Sequence, residues 1–394
     1  MANPYLKQYL MTAGPTPIPP AVSQAMAQPV LYHRAPAFIE VYARCLDRLR
    51  TVFQTDNDVL TFAASGSGAM ESAVSNLTRP GQPAVVASCG KFGERWVELC
   101  QSFGAQVVHH DAGWGNRVEP ADLERVLAES PGVEVVFTTL SETSTGVVND
   151  IQALTEVAHN AGALTAVDAV SGLGAIPIPQ DEWGVDVVVA GSQKALMCPP
   201  GLAFAGVNPP ALEYAEGSPG RRAYFDWGAT AKGQRKDPPD SPFTPAVTLF
   251  MGLDVALDMI VAEGLDQVFE RHRILGRAAR AAVHALELDL YGPEDQNANV
   301  VTAIKLPDGI DGAQVPKIMR DRFGVTVAGG QGQLKGKIVR VAHCGYFGAF
   351  DILTTFSAFE MALRVLGHEV ELGTGTGAAQ AVFLEAGVPA AAPA

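Results

Sequence analysis

Cysteine is scarce in this chain of 394 residues, which contains only Cys45, Cys89, Cys100, Cys198 and Cys344. The number is odd, and no two cysteines have the Cys-x-x-Cys spacing. Both facts argue against a disulfide framework and against an iron–sulfur or nickel site built from closely spaced thiolates. The sequence therefore predicts reduced thiols, a cytoplasmic location and no bound metal.

Positive charge and long apolar runs are also in short supply. Lysine and arginine total 28 against 42 aspartates and glutamates, so the net charge is −14 and the pI is near 5.0. This balance disfavours nucleic acid or an anionic membrane as a partner. No uninterrupted transmembrane stretch or amino-terminal signal peptide is visible. The expected partners are small molecules, with no nucleic acid and no membrane.

What the chain does contain is an alternation of apolar strands and helical segments. Strands are predicted near residues 84–88, 134–139, 165–168 and 186–190, and a helix is predicted over 151–160. This alternation is typical of an α/β fold with a mostly parallel sheet covered on both faces.

Lys194 follows the apolar run 186–191, which reads as a buried strand. A lysine amine near a core loses hydration, so its pKa falls and a neutral nucleophile becomes available for a Schiff base with an aldehyde. From position alone, the alternative is a lysine that extends from the strand end into solvent.

Asp168 ends a second apolar strand, which begins at residue 163. In pyridoxal phosphate (PLP) enzymes a carboxylate faces the pyridine nitrogen and keeps it protonated. Taken alone, Asp168 could instead be a helix N-cap. Two charged residues at the carboxyl ends of strands separated by one crossover converge where open α/β sheets bind ligands, which favours the cofactor pair of Asp168 and Lys194.

A third element, Ser65-Gly66-Ser67-Gly68, lies between the predicted strand 59–62 and a segment with helical spacing of its apolar residues. Small residues with free N–H groups at a helix start suit a phosphate. The segment matches neither Gly-x-Gly-x-x-Gly nor Gly-Lys-Ser/Thr, and taken alone it is more often a simple turn. Together with Asp168 and Lys194 it completes the set that a PLP enzyme requires.

Through these residues the chain resembles the class V aminotransferases of PLP fold type I. The resemblance runs from Gly14-Pro15-Thr16-Pro17 to Val339-Arg340-Val341, through the segments 90–95, 141–147 and 191–196. Within the class it is most similar to the alanine–glyoxylate and serine–glyoxylate aminotransferases, particularly a bacterial branch sometimes labelled soluble hydrogenase small subunit. The resemblance implies a large domain with a mostly parallel seven-stranded sheet and a smaller carboxyl-terminal α/β domain.

Four segments are expected on this basis. They are an amino-terminal arm over 1–21, a large PLP-binding domain over 22–263, a small domain over 264–370 and a low-complexity tail over 371–394. The tail is rich in alanine, glycine and threonine, and we expect part of it to be disordered.

The resemblance also implies roles for the residues that would bind the cofactor. Those assigned to the phosphate are Ser65, Gly66, Ser67 and Gln193. Phe92 would stack on the ring from a loop bounded by glycines, its alternative being an ordinary core phenylalanine. Thr143 would hydrogen-bond near the ring's phenolic oxygen and Asp168, its alternative being a turn hydroxyl.

Thr244 matches a family position that reaches the phosphate of the neighbouring subunit, which implies a homodimer with shared sites. Many relatives have a tyrosine three residues earlier, where this chain has Ser241. That departure puts one phosphate contact in doubt.

Arg340 lies in an alternating strand pattern over 337–342, and the resemblance makes it the substrate-carboxylate ligand. Backbone groups around Ala13 and Gly14 would complete the carboxylate site. His33 and Arg34 either line the entrance or anchor the amino-terminal arm, and the sequence favours neither reading.

The predicted function is transfer of an amino group from alanine or serine to glyoxylate. One alternative is another small amino acid, or a phosphonate or phosphoserine-type substrate, with pyruvate or 2-oxoglutarate; the chain's nine lysines form no cluster for a second anion. A cysteine desulfurase could use Cys344, but Gln193 stands where desulfurases have a histidine. A non-catalytic accessory subunit would not need the intact set of Lys194, Asp168 and residues 65–68.

Overall fold

The computed structural model describes residues 6–218 and 222–387, whose strands form one large sheet and three small ones. In chain order the strands are β1 (Tyr9–Leu10), β2 (Asp58–Phe62), β3 (Pro83–Ser88), β4 (Gln106–Asp111), β5 (Val135–Thr139), β6 (Ser141–Glu142), β7 (Val147–Val148), β8 (Leu164–Asp168), β9 (Val187–Gly191), β10 (Ala203–Val207), β11 (Val301–Lys305), β12 (Val325–Thr326), β13 (Ala328–Gly329) and β14 (Ile338–Ala342).

The α-helices alternate with these strands. In chain order they are α1 (Pro20–Met26), α2 (Pro36–Phe53), α3 (Gly66–Leu77), α4 (Lys91–Ser102), α5 (Pro120–Ala128), α6 (Ile151–Asn160), α7 (Pro209–Glu216), α8 (Trp227–Gln234), α9 (Val247–Glu263), α10 (Leu265–Ala285), α11 (Gln314–Phe323), α12 (Ala349–Val365) and α13 (Thr374–Ala386). Helix α6 has the bounds predicted from sequence because the Asp150 carboxylate accepts a hydrogen bond from the Ala153 amide at 3.1 Å and caps its start.

The large sheet has seven strands in the order β2-β10-β9-β8-β5-β3-β4, and β10 alone runs antiparallel to its neighbours. Its strands are apolar on both faces: in β9, Val187 and Val189 belong to one core cluster, whereas Val188 and Ala190 belong to another. This confirms the predicted α/β fold with a mostly parallel sheet covered on both sides.

The topology brings three chain segments to one edge of this sheet. Strands β8 and β9 are parallel neighbours, so their carboxyl ends lie side by side. Strand β2 pairs only with the antiparallel β10 and therefore points the same way as β9. Helix α3, which follows β2, consequently begins at the edge where β8 and β9 end.

A second core lies around the antiparallel sheet β11-β14-β13 and the helices α10, α12 and α13. Its largest fully buried side chains include Phe356 and Phe359. Strand β1 pairs in parallel with β12, with Tyr9 opposite Val325. The start of the described part of the predicted amino-terminal arm is thus fixed to the second core.

Most of the described residues beyond 370, in the segment expected to be a low-complexity tail, form a helix. Helix α13 packs against α10 and α12, and it buries Gly375, Ala379 and Phe383. These positions are four residues apart, which is a helical stripe. The small residues that made the segment look uninformative allow the close approach of two helices. Residues 388–394 lie outside the described part of the chain.

All five cysteines are buried and free, which bears out the prediction of unpaired thiols. Over residues 6–218 and 222–387, no helix combines the length and apolar character needed to cross a membrane. Within the same residues, no three His, Cys, Asp or Glu side chains are grouped as metal ligands.

Candidate active site

Lys194 lies three residues beyond the end of β9, and it is only 9% exposed. Burial lowers the pKa of its amine, in the direction predicted from sequence. Its Nζ donates to the Ala13 carbonyl oxygen, and its own carbonyl accepts from Thr16 Oγ1 at 2.9 Å. The amino-terminal segment therefore lies directly against the lysine.

Gly14 is the residue that makes this approach sterically acceptable. A methyl group at Gly14 would overlap Cδ, Cε and Nζ of Lys194. The φ angle of +125° at Gly14 is also in the region that side-chain-bearing residues avoid. The predicted substrate-side backbone at Ala13 and Gly14 is thus adjacent to the lysine.

Asp168 is the last residue of β8, in register with Val189 of β9. Its Oδ1 accepts from the Val170 amide at 2.8 Å. Burial raises the pKa of Asp168 to about 6, with a further increase from Glu142, while the positive charges of Lys194 and Arg95 oppose the shift. The structure brings Asp168 and Lys194 into the same electrostatic environment, as their positions at neighbouring strand ends predicted.

The segment 65–68 forms the start of α3, with Ser65 at the N-cap position. The Ser65 hydroxyl makes no capping hydrogen bond and remains exposed. Gly191, at the end of β9, lies so close to the start of α3 that a Cβ on Gly191 would be 3.2 Å from the Gly66 nitrogen. The helix start and the strand end that leads to Lys194 are therefore in contact.

Gln193 immediately precedes the lysine. Its Oε1 is buried without a hydrogen-bond partner among the described residues. The two ends of an amide side chain are assigned from their contacts, so an unpaired end marks unused hydrogen-bonding capacity.

Phe92 lies in the first turn of α4, so the prediction of a glycine-bounded loop was wrong. The helix begins directly after Gly90 because other residues supply the missing N-terminal hydrogen bonds. The Phe92 ring centroid lies 6.0 Å from Lys194 Nζ and 5.3 Å from the Arg95 guanidinium carbon. A flat side chain thus stands beside the lysine, held by a helix.

Arg340 lies at the centre of β14 and is only 6% exposed. Its Nε donates to the Gly329 carbonyl at 2.9 Å, and its Nη1 donates to the Thr143 carbonyl at 2.8 Å. Burial lowers the pKa of its guanidinium, while the charge of Glu142 opposes that shift. In the described structure, Thr143 reaches the site through its backbone carbonyl and makes no hydrogen bond to Asp168.

Thr244, His33 and Arg34 lie apart from this group. Thr244 is exposed and makes no hydrogen bond to the residues around Lys194 within the described chain. His33 and Arg34 line a separate cavity of about 210 Å³, and the lining of that cavity includes neither Lys194 nor Asp168.

Three residues at the site were given no role by sequence reasoning. Thr16 holds the lysine backbone, Arg95 donates from Nη1 to Ser67 Oγ at 2.9 Å, and the carboxylate of Glu142 is fully buried. Glu142 is the one acidic residue in the small, polar segment 141–146, and a carboxylate in such surroundings was the available signal.

Comparison with known proteins identifies close relatives over nearly the whole chain. The soluble hydrogenase small subunit of Synechococcus sp. is 41% identical, over 96% of this chain and 98% of that protein. The serine–glyoxylate aminotransferase of Methylorubrum extorquens is 36% identical, over 96% of each chain. The L-aspartate–glyoxylate aminotransferase of Paracoccus denitrificans is 35% identical, over 93% of this chain and 94% of that protein.

Solved structures agree with this relationship. The ureidoglycine–glyoxylate aminotransferase of Bacillus subtilis matches with a TM-score of 0.92 and 28% identity, covering 98% of this chain and 99% of the other. The alanine–glyoxylate aminotransferase of Nostoc sp. matches with a TM-score of 0.87 and 28% identity, covering 92% and 98%. The family model for class-V aminotransferases matches residues 8–342, and that span contains every site residue described above. The chain belongs to the class-V aminotransferase family.

Proposed function

We propose that this aminotransferase uses pyridoxal phosphate to move an amino group from alanine or serine to glyoxylate. The observation that carries the proposal is a buried lysine of lowered pKa beside a buried aspartate, with a helix start at the same sheet edge. Perturbed ionisable groups of this kind cluster at sites of chemistry.

The residues present fit the cofactor. A Cβ at Gly191 would lie 3.2 Å from the Gly66 nitrogen, so glycine at position 191 lets the end of β9 pass close to the helix start that would hold the phosphate. The hydroxyls of Ser65 and Ser67, the first amides of α3 and the unpaired amide of Gln193 would hold the phosphate. Asp168, with one backbone donor to its carboxylate among the described residues, has capacity left for the ring N–H.

Each polar side chain of the site has a distinct task in this proposal. When bound, pyridoxal phosphate supplies the aldehyde that takes up the amino group and the ring that accepts electrons. Lys194 Nζ, whose pKa is lowered by burial, would accept the proton that leaves the substrate α-carbon and later return a proton. Asp168 would keep the ring nitrogen protonated, and Phe92 would supply a flat surface for the ring.

Arg340 orients the substrate in this proposal. Two backbone carbonyls hold its guanidinium by Nε and Nη1, which leaves Nη2 with no partner among the described residues. A guanidinium fixed in this way presents its remaining donors to a carboxylate without losing rotational freedom on binding. The neighbouring Ala13–Gly14 backbone completes the carboxylate site.

Small donors are favoured because the second cation near the site lies at the proposed phosphate cup. Arg95 donates to Ser67 in this cup, where its charge would face the cofactor phosphate. Burying an unpaired carboxylate costs several kcal/mol as an order of magnitude. The relative named L-aspartate–glyoxylate aminotransferase makes the choice of donor a point of difference within the family.

The cysteine desulfurase alternative requires a reactive thiol. Cys344 is fully buried, and burial raises the pKa of its thiol to about 11. A nucleophilic cysteine needs thiolate character and access to substrate, so this environment argues for amino transfer.

The proposal includes a homodimer with two shared sites, located in the cytoplasm. The homodimer is supported by the exposure of Thr244 in the loop 241–245 and by the family match at that position. In the dimer, Thr244 would reach the phosphate held by the other subunit. A monomeric mass in solution, measured on fully active protein, would contradict it.

The function is tested with a panel of amino donors against glyoxylate, pyruvate and 2-oxoglutarate, by comparing kcat/KM. We expect glyoxylate to be the preferred acceptor, alanine or serine the preferred donor, and aspartate and glutamate poor donors. A pocket that tolerates a hydroxyl separates alanine from serine weakly, whereas one that bonds it separates them strongly. Preference for glutamate with 2-oxoglutarate would overturn the specificity.

A further inference from the structure

Helix α4 has no side chain of its own to cap its start, because the N-cap residue is Gly90. A distant segment supplies the cap instead. The Lys91 amide donates to Ser144 Oγ at 3.1 Å, and the amides of Phe92 and Gly93 both donate to Glu142 Oε2 at 2.9 Å. The first three amides of the helix are therefore satisfied by residues about fifty positions later in the chain.

The other oxygen of Glu142 is equally occupied. Oε1 accepts from the Ser144 amide at 3.1 Å and from the Ser144 hydroxyl at 2.6 Å. Burial raises the pKa of Glu142, while its hydrogen bonds to Ser144, Gly93 and Phe92 oppose that shift. Because backbone donors meet both oxygens, the acceptor-only, ionised carboxylate is the form that fits, and the positive end of α4 stabilises it.

Glu142 also lies where the two halves of the site meet. On one side its carboxylate fixes the turn of α4 that carries Phe92, beside Lys194. On the other side the next residue, Thr143, gives its carbonyl to Arg340. One buried side chain thus links the residue proposed to contact the cofactor ring to the residue proposed to bind the substrate carboxylate.

We propose that Glu142 is a positioning residue for amino transfer: its ionised carboxylate joins α4 to the segment 141–144 and so sets Phe92 and Arg340 relative to Lys194. The role rests on the proposed function, and Glu142 itself does not contact substrate. A displacement of about 1 Å at a reacting centre is enough to cost about 100-fold in rate.

Gly90 supports the same reading. Its φ angle is extended, so backbone conformation does not require glycine there. A Cβ at Gly90 would instead lie 2.5 Å from Glu142 Cγ and 2.6 Å from Ser144 Oγ. The absence of a side chain at this position makes room for the cap.

The test compares Glu142→Gln with Glu94→Gln in the holoenzyme. Glu94 is a matched control because it lies in the first turn of the same helix but pairs with Lys91 and with Trp114 Nε1, its side chain 34% exposed. Glutamine keeps the size of Glu142 but turns one end into a donor, which then faces backbone N–H groups. We expect kcat/KM for the amino donor to fall about tenfold to 100-fold in Glu142→Gln and less than twofold in Glu94→Gln.

Two further readouts separate positioning from stability alone. The visible circular dichroism of bound pyridoxal phosphate, normalised to its absorbance, should decrease in Glu142→Gln because the ring is no longer held in one orientation. The donor KM should rise more than kcat falls, because Arg340 moves with Thr143. A residue of structural importance only would lower the Tm and leave both properties of the folded holoenzyme unchanged.

Two milder variants keep the inference testable if Glu142→Gln does not fold. Ser144→Ala removes one amide partner and one Glu142 donor, and Gly90→Ala displaces the cap without removing its charge. Both variants should reduce the dichroism and kcat/KM, as Glu142→Gln does. Wild-type dichroism and KM in folded Glu142→Gln, or in both milder variants, would overturn the inference. If the wild-type enzyme had no activity with glyoxylate, the proposed function would be rejected. The dichroism of bound pyridoxal phosphate would still show whether Glu142 positions the ring.

Discussion

The carboxyl edge of the seven-stranded sheet and the centre of β14 hold their functional groups in opposite ways. Lys194 and Asp168 lie at or just beyond strand ends, and the hydrogen bonds found for their charged groups go to the backbone of Ala13 and Val170. Arg340 lies in the middle of a strand, where two backbone carbonyls hold its guanidinium.

In the proposed function, this difference separates groups that move or hold a proton from the group that binds substrate. A group that must gain or lose a proton needs a shifted pKa and free hydrogen-bonding capacity, and strand ends provide both through burial without a full set of partners. A group that only orients a carboxylate gains from being fixed in advance. The comparison predicts that substitutions at the sheet edge change kcat, whereas substitution in β14 changes mainly KM.

The largest expected effect is that of Lys194→Ala. It should lower kcat by about 10⁴-fold, the upper end for loss of one acid–base group, and should abolish the visible absorption of the covalently bound cofactor. Phosphate contacts would still retain pyridoxal phosphate noncovalently. Lys91→Ala serves as the control, because that lysine is half-buried and its amine pairs with Glu94 and Glu98. Activity with wild-type absorption in Lys194→Ala would remove the lysine from the reaction.

Asp168→Asn should retain the covalently bound cofactor but lose about 100-fold or more in kcat, because a neutral amide does not stabilise a ring proton. In the cofactor-free protein the same change should be stabilising at pH 8. The folded-state pKa of Asp168 is raised to about 6, so the stability linked to its protonated form is present below about 3.8 and lost as pH rises through 6.

The stability difference is measured as the free energy of unfolding of both cofactor-free proteins at pH 5 and pH 8. The raised pKa corresponds to about 3 kcal/mol at full ionisation, and asparagine avoids most of that cost. The advantage of Asp168→Asn should shrink at pH 5. If the stability advantage of Asp168→Asn did not depend on pH, Asp168 would not have the raised pKa. A normal kcat in this variant would show that Asp168 does not act on the cofactor ring.

The smallest effect is expected for Arg340→Lys. Lysine presents a single ammonium where arginine makes parallel hydrogen bonds, and a loss of about 2 kcal/mol corresponds to about a 30-fold rise in KM, with a smaller change in kcat. Arg280→Lys is the control, because it changes a half-buried arginine of the same second core that contacts Asn299. A larger fall in kcat than in donor affinity would break the proposed division between the two regions.

The parts of the fold that the sequence predicted depend on continuous apolar runs. Strands β8 and β9 were recognisable because both faces are buried, and the polar residue at each end located the sheet edge. Helix α6 had its own cap in Asp150. Where the determinants lie close together in sequence, the prediction agreed with the structure.

The parts that the sequence did not predict depend on contacts between distant segments. Phe92 was assigned to a loop because glycines lie on both sides of it, at Gly90 and Gly93. The helix forms there because its cap comes from Glu142 and Ser144. The sequence predicted that Arg340 binds the substrate carboxylate. It did not predict the two carbonyl partners of the guanidinium, at Gly329 and Thr143, because tertiary structure brings them there. Helix α13 was missed because small residues carry a weak periodic signal.

The pairing of β1 with β12 has a consequence for the order in which the site forms during synthesis. Tyr9 is synthesised more than three hundred residues before its partner Val325. Until then nothing in β12 anchors the amino-terminal segment that carries Ala13 and Gly14 to the lysine. The large sheet is therefore synthesised well before β12, and the segment that carries Ala13 is anchored beside Lys194 only after β12 has been made.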